Sequence, residues 1–223
     1  TYAYYIECDK ENYHDANIVG MSVVTKKNNY YVPKLLINDT LEFLKDKIKY
    51  TYDLKKNICL LKSEDILSNT IFDTMISSYL LEENTKEDIA YLMIPKDYKI
   101  EFYDASLKNG FNSKDIVTKA RFIYDTRDDY LKRIKLEDME SLFTNIEMPL
   151  IKVLANMELN GIKCDKDVLK SMSLEVEKKI KDIEERIYFE CGETFNIASP
   201  KQLGVILFEK LGLPVIKKTK TGY

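Results

Sequence analysis

Histidine is almost absent from this 223-residue chain, which has one histidine, four cysteines and no tryptophan. The histidine is His14, and the cysteines Cys8, Cys59, Cys164 and Cys191 form no C-x-x-C pair. Structural zinc needs clustered cysteine and histidine ligands, so this spacing argues against the zinc-binding classes. Scattered cysteines in a chain without an export signal predict reduced thiols and a cytoplasmic protein.

Long apolar runs are also missing, because no stretch is long enough to span a bilayer and no signal peptide is recognisable. Hydrophobic residues make up 45% and charged residues 32% of the chain, a balance typical of globular proteins. The length suits one large domain or two small ones. Since the chain starts at Thr1 and stops at Tyr223, we expect a piece of a longer protein.

The chain as a whole has no excess of basic residues, and its formal net charge is −3. This charge argues against a uniformly basic nucleic-acid binder. The distribution is uneven, because the last 23 residues hold five lysines and one glutamate. Such a tail can form a local phosphate-binding patch, although a solvated loop is the simpler interpretation of charge alone.

The first third of the chain has the pattern of strands. Short apolar and aromatic runs at 2–6, 18–24 and 30–33 are separated by polar segments, and 27–29 is typical of a hairpin turn. Three sequential strands with short turns predict an antiparallel meander. Further short runs at 49–52 and 70–72 alternate with helical patterns, which predicts an α/β domain with a mixed sheet.

Helical periodicity is clearest in the second half of the chain. After shorter helices, including one at 86–93, Ser113 is predicted to cap a long helix that continues to about residue 131. From about residue 137 the pattern is helical alone, with long helices at about 139–159 and 165–190. Asp165 is predicted to cap the second of these, and Ser199 to cap a third helix that reaches about residue 211.

Several motifs occur in a fixed order in the C-terminal part. They are NIEMPL at 145–150, MELNGIK at 157–163, FNIASPKQL at 195–203, ILFEKLGLP at 206–214 and KKTKTG at 217–222. In this order they closely resemble the bacterial DNA polymerase I family, the A family, at the thumb that follows its 3′–5′ exonuclease domain. The thumb match covers 140–223. Residues 1–136 match more weakly, strengthened by FDTM at 72–75 and YLL at 79–81.

The resemblance implies an RNase H-like exonuclease-type domain over 1–136 and the first part of a polymerase thumb over 137–223. It implies a parent polymerase of DNA replication and repair that uses Mg²⁺, in the bacterial cytoplasm and associated with the nucleoid. The expected partners are duplex primer–template DNA and the palm and fingers of the same parent chain, with the protein a monomer. Because the palm and fingers are missing here, we expect no polymerisation and no metal or other cofactor bound by this piece.

The exonuclease positions implied by the resemblance look incomplete. The family's first strand carries Asp-x-Glu, and the matching residues here are Tyr5 and Glu7. A tyrosine is neutral near pH 7 and cannot bridge two metal ions. Asp53 matches the family's second-strand aspartate. We therefore expect a vestigial site retained as scaffold, without catalytic residues.

The family's Tyr-x-x-x-Asp helix can be aligned in two registers. In the preferred register its tyrosine falls at Asp115 and its aspartate at Lys119, which puts a cation where a metal belongs. The literal match, Tyr124 to Asp128, would delete much of the helix before the thumb. An active metal-dependent proofreading exonuclease, using Glu7, Asp53 and Asp128 or Asp125, is the alternative function.

Simpler structural roles explain several of these residues without catalysis. Glu7 at a strand end could be a solvated carboxylate, and Asp53 and Asp73 are typical helix caps. A helical protein-interaction module is a third possible function, since the long helices carry regular apolar stripes.

The thumb resemblance implies contact with the DNA backbone at the tip of the helices. The start of the third helix favours a phosphate, lysines add positive charge and threonines can donate hydrogen bonds. The predicted DNA-binding residues are Asn196, Ser199, Lys201, Lys217, Lys218, Thr219, Lys220 and Thr221. The mixed charges along 175–186 indicate a solvated face and no DNA contact.

Overall fold

The computed structural model describes residues 1–63, 65–83 and 86–215. The strands are β1 Tyr2–Cys8, β2 Ile18–Val24, β3 Asn29–Pro33, β4 Lys49–Thr51 and β5 Thr70–Asp73. The α-helices are α1 Ile37–Leu44, α2 Leu54–Leu61, α3 Thr74–Leu80, α4 Ala90–Met93, α5 Tyr103–Asn109, α6 Ser113–Leu136, α7 Glu140–Leu142, α8 Met148–Asn160, α9 Lys166–Cys191 and α10 Pro200–Gly204. A 3₁₀ segment spans Tyr13–Asp15, and π-helical turns span Phe143–Glu147 and Val205–Lys210.

The strands form a five-stranded mixed sheet in the order β3-β2-β1-β4-β5. The first three strands pair antiparallel, and β4 and β5 run parallel to β1. The predicted meander and the mixed α/β sheet are therefore confirmed. Since β1 lies at the centre, its residues are flanked by strands on both sides.

Helices cover both faces of the sheet, so β1 is buried on both sides and is apolar along most of its length. Successive side chains alternate between the faces, as strand geometry requires. Ala3 and Tyr5 belong to one apolar core with residues of α4 and α6, whereas Tyr4 and Ile6 belong to a second core with residues of α1 and α2. Glu7, two residues after Tyr5, therefore faces α6.

The long helix α6 packs on β1 and β2. Its N-cap is Asn112, whose side chain accepts a hydrogen bond from Lys114 N at 2.9 Å, so the prediction of Ser113 as cap is off by one residue. The predicted helix at 86–93 was too long, because only Ala90–Met93 is α-helical there. The Asp88 carboxylate instead accepts from the amides of Ala90 and Tyr103, which fixes a capped turn before α4.

The long helical segments of the second half are confirmed. Helical structure runs from α7 through the π-turn and α8 to Asn160, with Pro149 in the first turn of α8, where a missing N–H is tolerated. Asp165 caps α9 by accepting hydrogen bonds from two backbone amides, and Ser199 caps α10. No helix in the described ranges is long and apolar enough to cross a membrane.

The chain divides into two compact units, Thr1–Gly161 and Ile162–Tyr223. The helix α8 belongs to the first unit, where it packs on α2. The boundary at 136/137 follows from the family resemblance and stays a prediction.

Candidate functional site

The first-strand residues Tyr5 and Glu7 lie on the same face of β1, under α6. Both are buried, with 5% and 1% of their surface exposed. Lys119, on the buried face of α6, is 2% exposed and lies in a row with Ile116, Ala120 and Ile123. A lysine among these apolar neighbours requires a partner, because an unpaired buried charge is costly.

The partner of Lys119 is Glu7. The Lys119 Nζ donates a hydrogen bond to Glu7 Oε2 at 2.6 Å, and the two side chains are 2% and 1% exposed. The same ammonium lies 5.0 Å from the centre of the Tyr5 ring, a distance typical of a cation–π contact. Tyr5 and Glu7 of β1 and Lys119 of α6, all predicted as former exonuclease positions, are thus in direct contact.

Tyr5 remains a neutral phenol in this setting. Burial first, and then the negative charge of Glu7, raise its pKa well above the usual value. A second ammonium, Lys56 Nζ, lies 5.7 Å from the ring centre. Tyr5 therefore presents an aromatic face to two cations and no anionic oxygen to a metal.

Asp53 follows β4 and is held in an unusual backbone conformation. Its φ is +55°, a left-handed value, and its Oδ1 accepts from Lys56 N at 3.0 Å as the N-cap of α2. Burial raises the pKa of Asp53, opposed by the charge of Lys56 and by the bond from its amide. The expected capping role is confirmed, and it uses the Oδ1 oxygen of the carboxylate.

Asp73 supports this conformation from the neighbouring strand β5. It is fully buried and accepts hydrogen bonds from the backbone amides of Asp53 (3.0 Å), Leu54 (2.6 Å) and Met75 (2.8 Å). Burial and the nearby charge of Asp53 raise the pKa of Asp73 to about 7, against the effect of these amides. Asp73 is therefore a cap of α3, as predicted, and also a clamp on the turn that carries Asp53.

A cleft of about 660 Å³ opens beside these residues. Tyr5 and Asp53 line it together with aromatic side chains that come from α4 and from the region of α5, Tyr91, Phe102 and Tyr103. The rings of Tyr91 and Phe102 contact each other in a tilted arrangement, with ring centres 4.8 Å apart and an angle of 51° between the planes. The sequence did not predict these aromatic residues, because α5 was not recognised and nothing linked 91–103 to β1.

The donor atoms near β1 do not fit the two divalent cations that the family implies. Glu7 Oε1 is buried and has no hydrogen-bond partner among the described residues, so it is a free acceptor. Beside it lie an ammonium and a neutral phenol, whereas a divalent cation of the magnesium type needs about six oxygen ligands. Within the described ranges, no group of three or more histidine, cysteine, aspartate and glutamate side chains could hold a metal ion.

The acidic candidates of α6 lie beside other residues. Asp115 is one turn before Lys119, and its Oδ2 lies 3.5 Å from Glu101 N. Asp125 forms an ion pair with Arg121 at 3.1 Å, and the Asp128 side chain is 78% exposed beside Arg127. Of the candidate helix residues, the structure brings Lys119 to Glu7.

In the second unit, the described tip residues form a local capping network. Asn196 Oδ1 accepts from Ala198 N at 3.0 Å, and Ser199 Oγ accepts from Gln202 N at 3.4 Å. Gln202 Oε1 in turn accepts from Asn196 N at 2.8 Å, while Lys201 is exposed. The predicted contacts Lys217, Lys218, Thr219, Lys220 and Thr221 lie outside the described residues.

Comparison with known proteins agrees with this architecture. Residues 4–107 match the family described as DNA polymerase I, ribonuclease H-like domain, and residues 166–223 match DNA polymerase family A. The DNA polymerase I of Bacillus subtilis (strain 168) is 37% identical over an alignment of 240 residues, gaps included, which covers 99% of this chain and 27% of the relative. The DNA polymerase I of Caldicellulosiruptor bescii is 41% identical over 194 residues, covering 85% of this chain and 22% of the relative.

A third relative, the DNA polymerase I of Geobacillus stearothermophilus, is 34% identical over 235 residues, covering 98% of this chain and 27% of the relative. The sheet and the two family matches define a ribonuclease H-like domain joined to helices of a DNA polymerase. The chain belongs to the A family of DNA polymerases and corresponds to a piece of DNA polymerase I, as its motifs predicted. It spans about a quarter of the length of the curated relatives it matches.

Proposed function

We propose that residues 1–136 are an exonuclease-like domain that no longer hydrolyses DNA and serves as scaffold, and that residues 137–223 begin a thumb that grips the primer–template backbone. The whole polymerase would supply the palm and fingers and use Mg²⁺ for synthesis. The observation that carries the loss of nuclease activity is the buried ion pair of Lys119 with Glu7 beside Tyr5.

The proposal depends on the Lys119 ammonium, which lies where the nuclease reaction would need metal ions. Two-metal phosphodiester hydrolysis needs carboxylates that converge on two cations a few ångströms apart, so that water is activated and the leaving oxygen is stabilised. Here the ammonium of Lys119 already neutralises Glu7, and Tyr5 adds no charge. An ammonium provides no open coordination position for water. The contact also supports the register that aligns Lys119 with the family's aspartate.

A nuclease time course tests the inactive site. We expect no shortening of a 3′-labelled or 5′-labelled single-stranded oligonucleotide by the chain in Mg²⁺ or Mn²⁺, because no metal pair can assemble. An active 3′–5′ exonuclease on the same oligonucleotide is the positive control. Metal-dependent shortening from the 3′ end that Glu7→Gln abolishes would contradict the proposal and establish the proofreading alternative.

The thumb proposal is supported by the family match at 166–223 and by the exposed Lys201 at the start of α10. Contacts with the sugar–phosphate backbone give affinity without reading sequence, which suits a polymerase that must move along any template. A helix start with exposed amides and nearby lysines is suited to phosphate. The mixed charges of α9, such as the exposed Glu175–Lys179 pair, are consistent with a helix surface that faces solvent and does not contact DNA.

DNA binding in a salt series tests the tip. We expect Lys217→Ala, Lys218→Ala and Lys220→Ala together to weaken duplex binding and to reduce the slope of log K against log salt by about 3, one unit per lost phosphate contact. The matched control is the triple variant Lys178→Ala, Lys179→Ala and Lys181→Ala in α9. It removes the same charge from a helix surface that we expect to face solvent, so the slope of log K against log salt should stay unchanged. Equal effects of the two triple variants would mean that total charge, and not the tip, binds DNA.

A further inference from the structure

The helix α8 packs against the rest of the first unit along only part of its length. Its buried residues are Ile151 and Ala155, both before its last turn. Beyond them, Met157 is 63% exposed and Leu159 is 37% exposed. Apolar packing on α2 therefore ends near Ala155, although the helix continues to Asn160.

The last turn is held by one charged side chain, Glu158. Its Oε1 accepts a hydrogen bond from Lys55 Nζ at 2.5 Å, and its Oε2 accepts one from the Tyr13 hydroxyl at 2.6 Å. His14 Nε2 lies 3.2 Å and Cys59 Sγ lies 3.6 Å from the same Oε2. We call these five residues the Glu158 cluster.

The Glu158 cluster joins three separate segments of the first unit. Lys55 and Cys59 belong to α2, Tyr13 and His14 to the 3₁₀ segment between β1 and β2, and Glu158 to α8. Lys55 Nζ also donates to the Tyr13 hydroxyl at 2.9 Å, so the donors are themselves connected. The Glu158 side chain is 30% exposed and that of Lys55 is 27% exposed, which limits screening by solvent.

Electrostatics agree with this geometry. Burial opposes the charge of Glu158, but the hydrogen bonds from Lys55 and Tyr13 outweigh burial and lower its pKa to about 2. For Lys55, the bonds to Glu158 and Tyr13 likewise outweigh burial and raise its pKa. Both partners are therefore charged near neutral pH, and the interaction is a charge-assisted one.

We propose that Glu158 is a positioning residue that fixes the last turn of α8 on the ribonuclease H-like domain and so restrains the start of the second unit. The chain leaves the first unit at Gly161, three residues after Glu158, where a φ of +65° ends the helix. Without the Glu158 cluster the last turn keeps few buried contacts and frays. This role goes beyond nuclease inactivity and DNA binding, and it holds whether or not the second unit grips DNA.

Amide hydrogen exchange of the full 223-residue chain tests the proposal. We expect Glu158→Gln to speed exchange of the amides of 157–161 about tenfold, because a charged hydrogen-bond partner is lost from a turn that opens locally. The amides of α6 should keep their protection, which shows that the domain remains folded. The matched control is Glu175→Gln, which removes a carboxylate from the exposed i,i+4 pair with Lys179 and should change nothing at 157–161.

A second readout separates positioning from local stability. Spin labels at the exposed positions Lys26→Cys and Lys170→Cys report the distance distribution between the two units. Cys164→Ser and Cys191→Ser remove the two accessible natural thiols, so that only these positions are labelled. Glu158→Gln should broaden that distribution, and Lys55→Met should do the same if the glutamine variant folds poorly. Unchanged exchange at 157–161, or faster exchange with an unchanged distribution in both variants, would overturn the proposal.

Discussion

Replacing Lys119 with methionine is expected to lower the free energy of unfolding by about 3–5 kcal/mol, the usual cost of leaving one partner of a buried ion pair uncompensated. Methionine keeps most of the length and apolar volume of the lysine stem, so the change isolates the charge. Glu7 Oε1 already lacks a hydrogen-bond partner among the described residues, and the variant would leave Oε2 without one as well. Denaturant unfolding followed by circular dichroism measures the loss.

The control for this effect is Lys179→Met, which breaks an ion pair whose side chains are 67% and 66% exposed. Exposed pairs contribute about 0–1 kcal/mol, so this variant should be nearly neutral. The double variant Glu7→Gln with Lys119→Met removes the buried charge and should recover most of the stability lost in the single variant. A near-neutral Lys119→Met would mean that Glu7 has another partner.

Carboxylates at positions 5 and 119, where the family resemblance implies them, should make the stability of the chain depend on a divalent metal. In Tyr5→Asp with Lys119→Asp, two acidic side chains replace the phenol and the ammonium beside Glu7. We expect this variant to unfold at a lower temperature in EDTA, because like charges crowd a buried site. In Mn²⁺ at about 100 times the dissociation constant, binding should return about 2.7 kcal/mol, or about 5–10 °C in the unfolding midpoint.

The matched control is Tyr5→Asn with Lys119→Asn, which has the same shape without the charges. Its midpoint should be the same in EDTA and in Mn²⁺. If the aspartate variant does not fold in EDTA, refolding with and without Mn²⁺ measures the same dependence. A midpoint that Mn²⁺ leaves unchanged in the aspartate variant would contradict the view that Tyr5 and Lys119 replace a metal site.

Local patterns predicted much of the fold because they depend on neighbours in sequence. The runs at 18–24 and 30–33 match β2 and β3 closely, since alternation and turn residues are read directly from the chain. The caps Asp53, Asp73, Asp165 and Ser199 were also predictable, because a cap precedes its own helix.

Contacts between distant segments limited the prediction of the site. The sequence could place Lys119 opposite Glu7 only through a choice between two registers, since 112 positions separate them. The aromatic wall of the cleft was missed because α5 was not recognised. The Glu158 cluster was missed too, because its members are ordinary polar residues whose role depends on packing of α8 on α2.

An amide NMR spectrum of the unmodified chain with Mn²⁺ tests whether a divalent metal binds beside Glu7. Bound Mn²⁺ broadens signals from nuclei near it, whereas Glu7 paired with the Lys119 ammonium should bind no metal. We expect substoichiometric Mn²⁺ to leave the amide signals of Tyr5, Glu7 and Lys119 sharp. The positive control is the variant Tyr5→Asp with Lys119→Asp, in which the amide signals of positions 5, 7 and 119 should broaden. Selective broadening of these three amides in the unmodified chain would contradict this expectation.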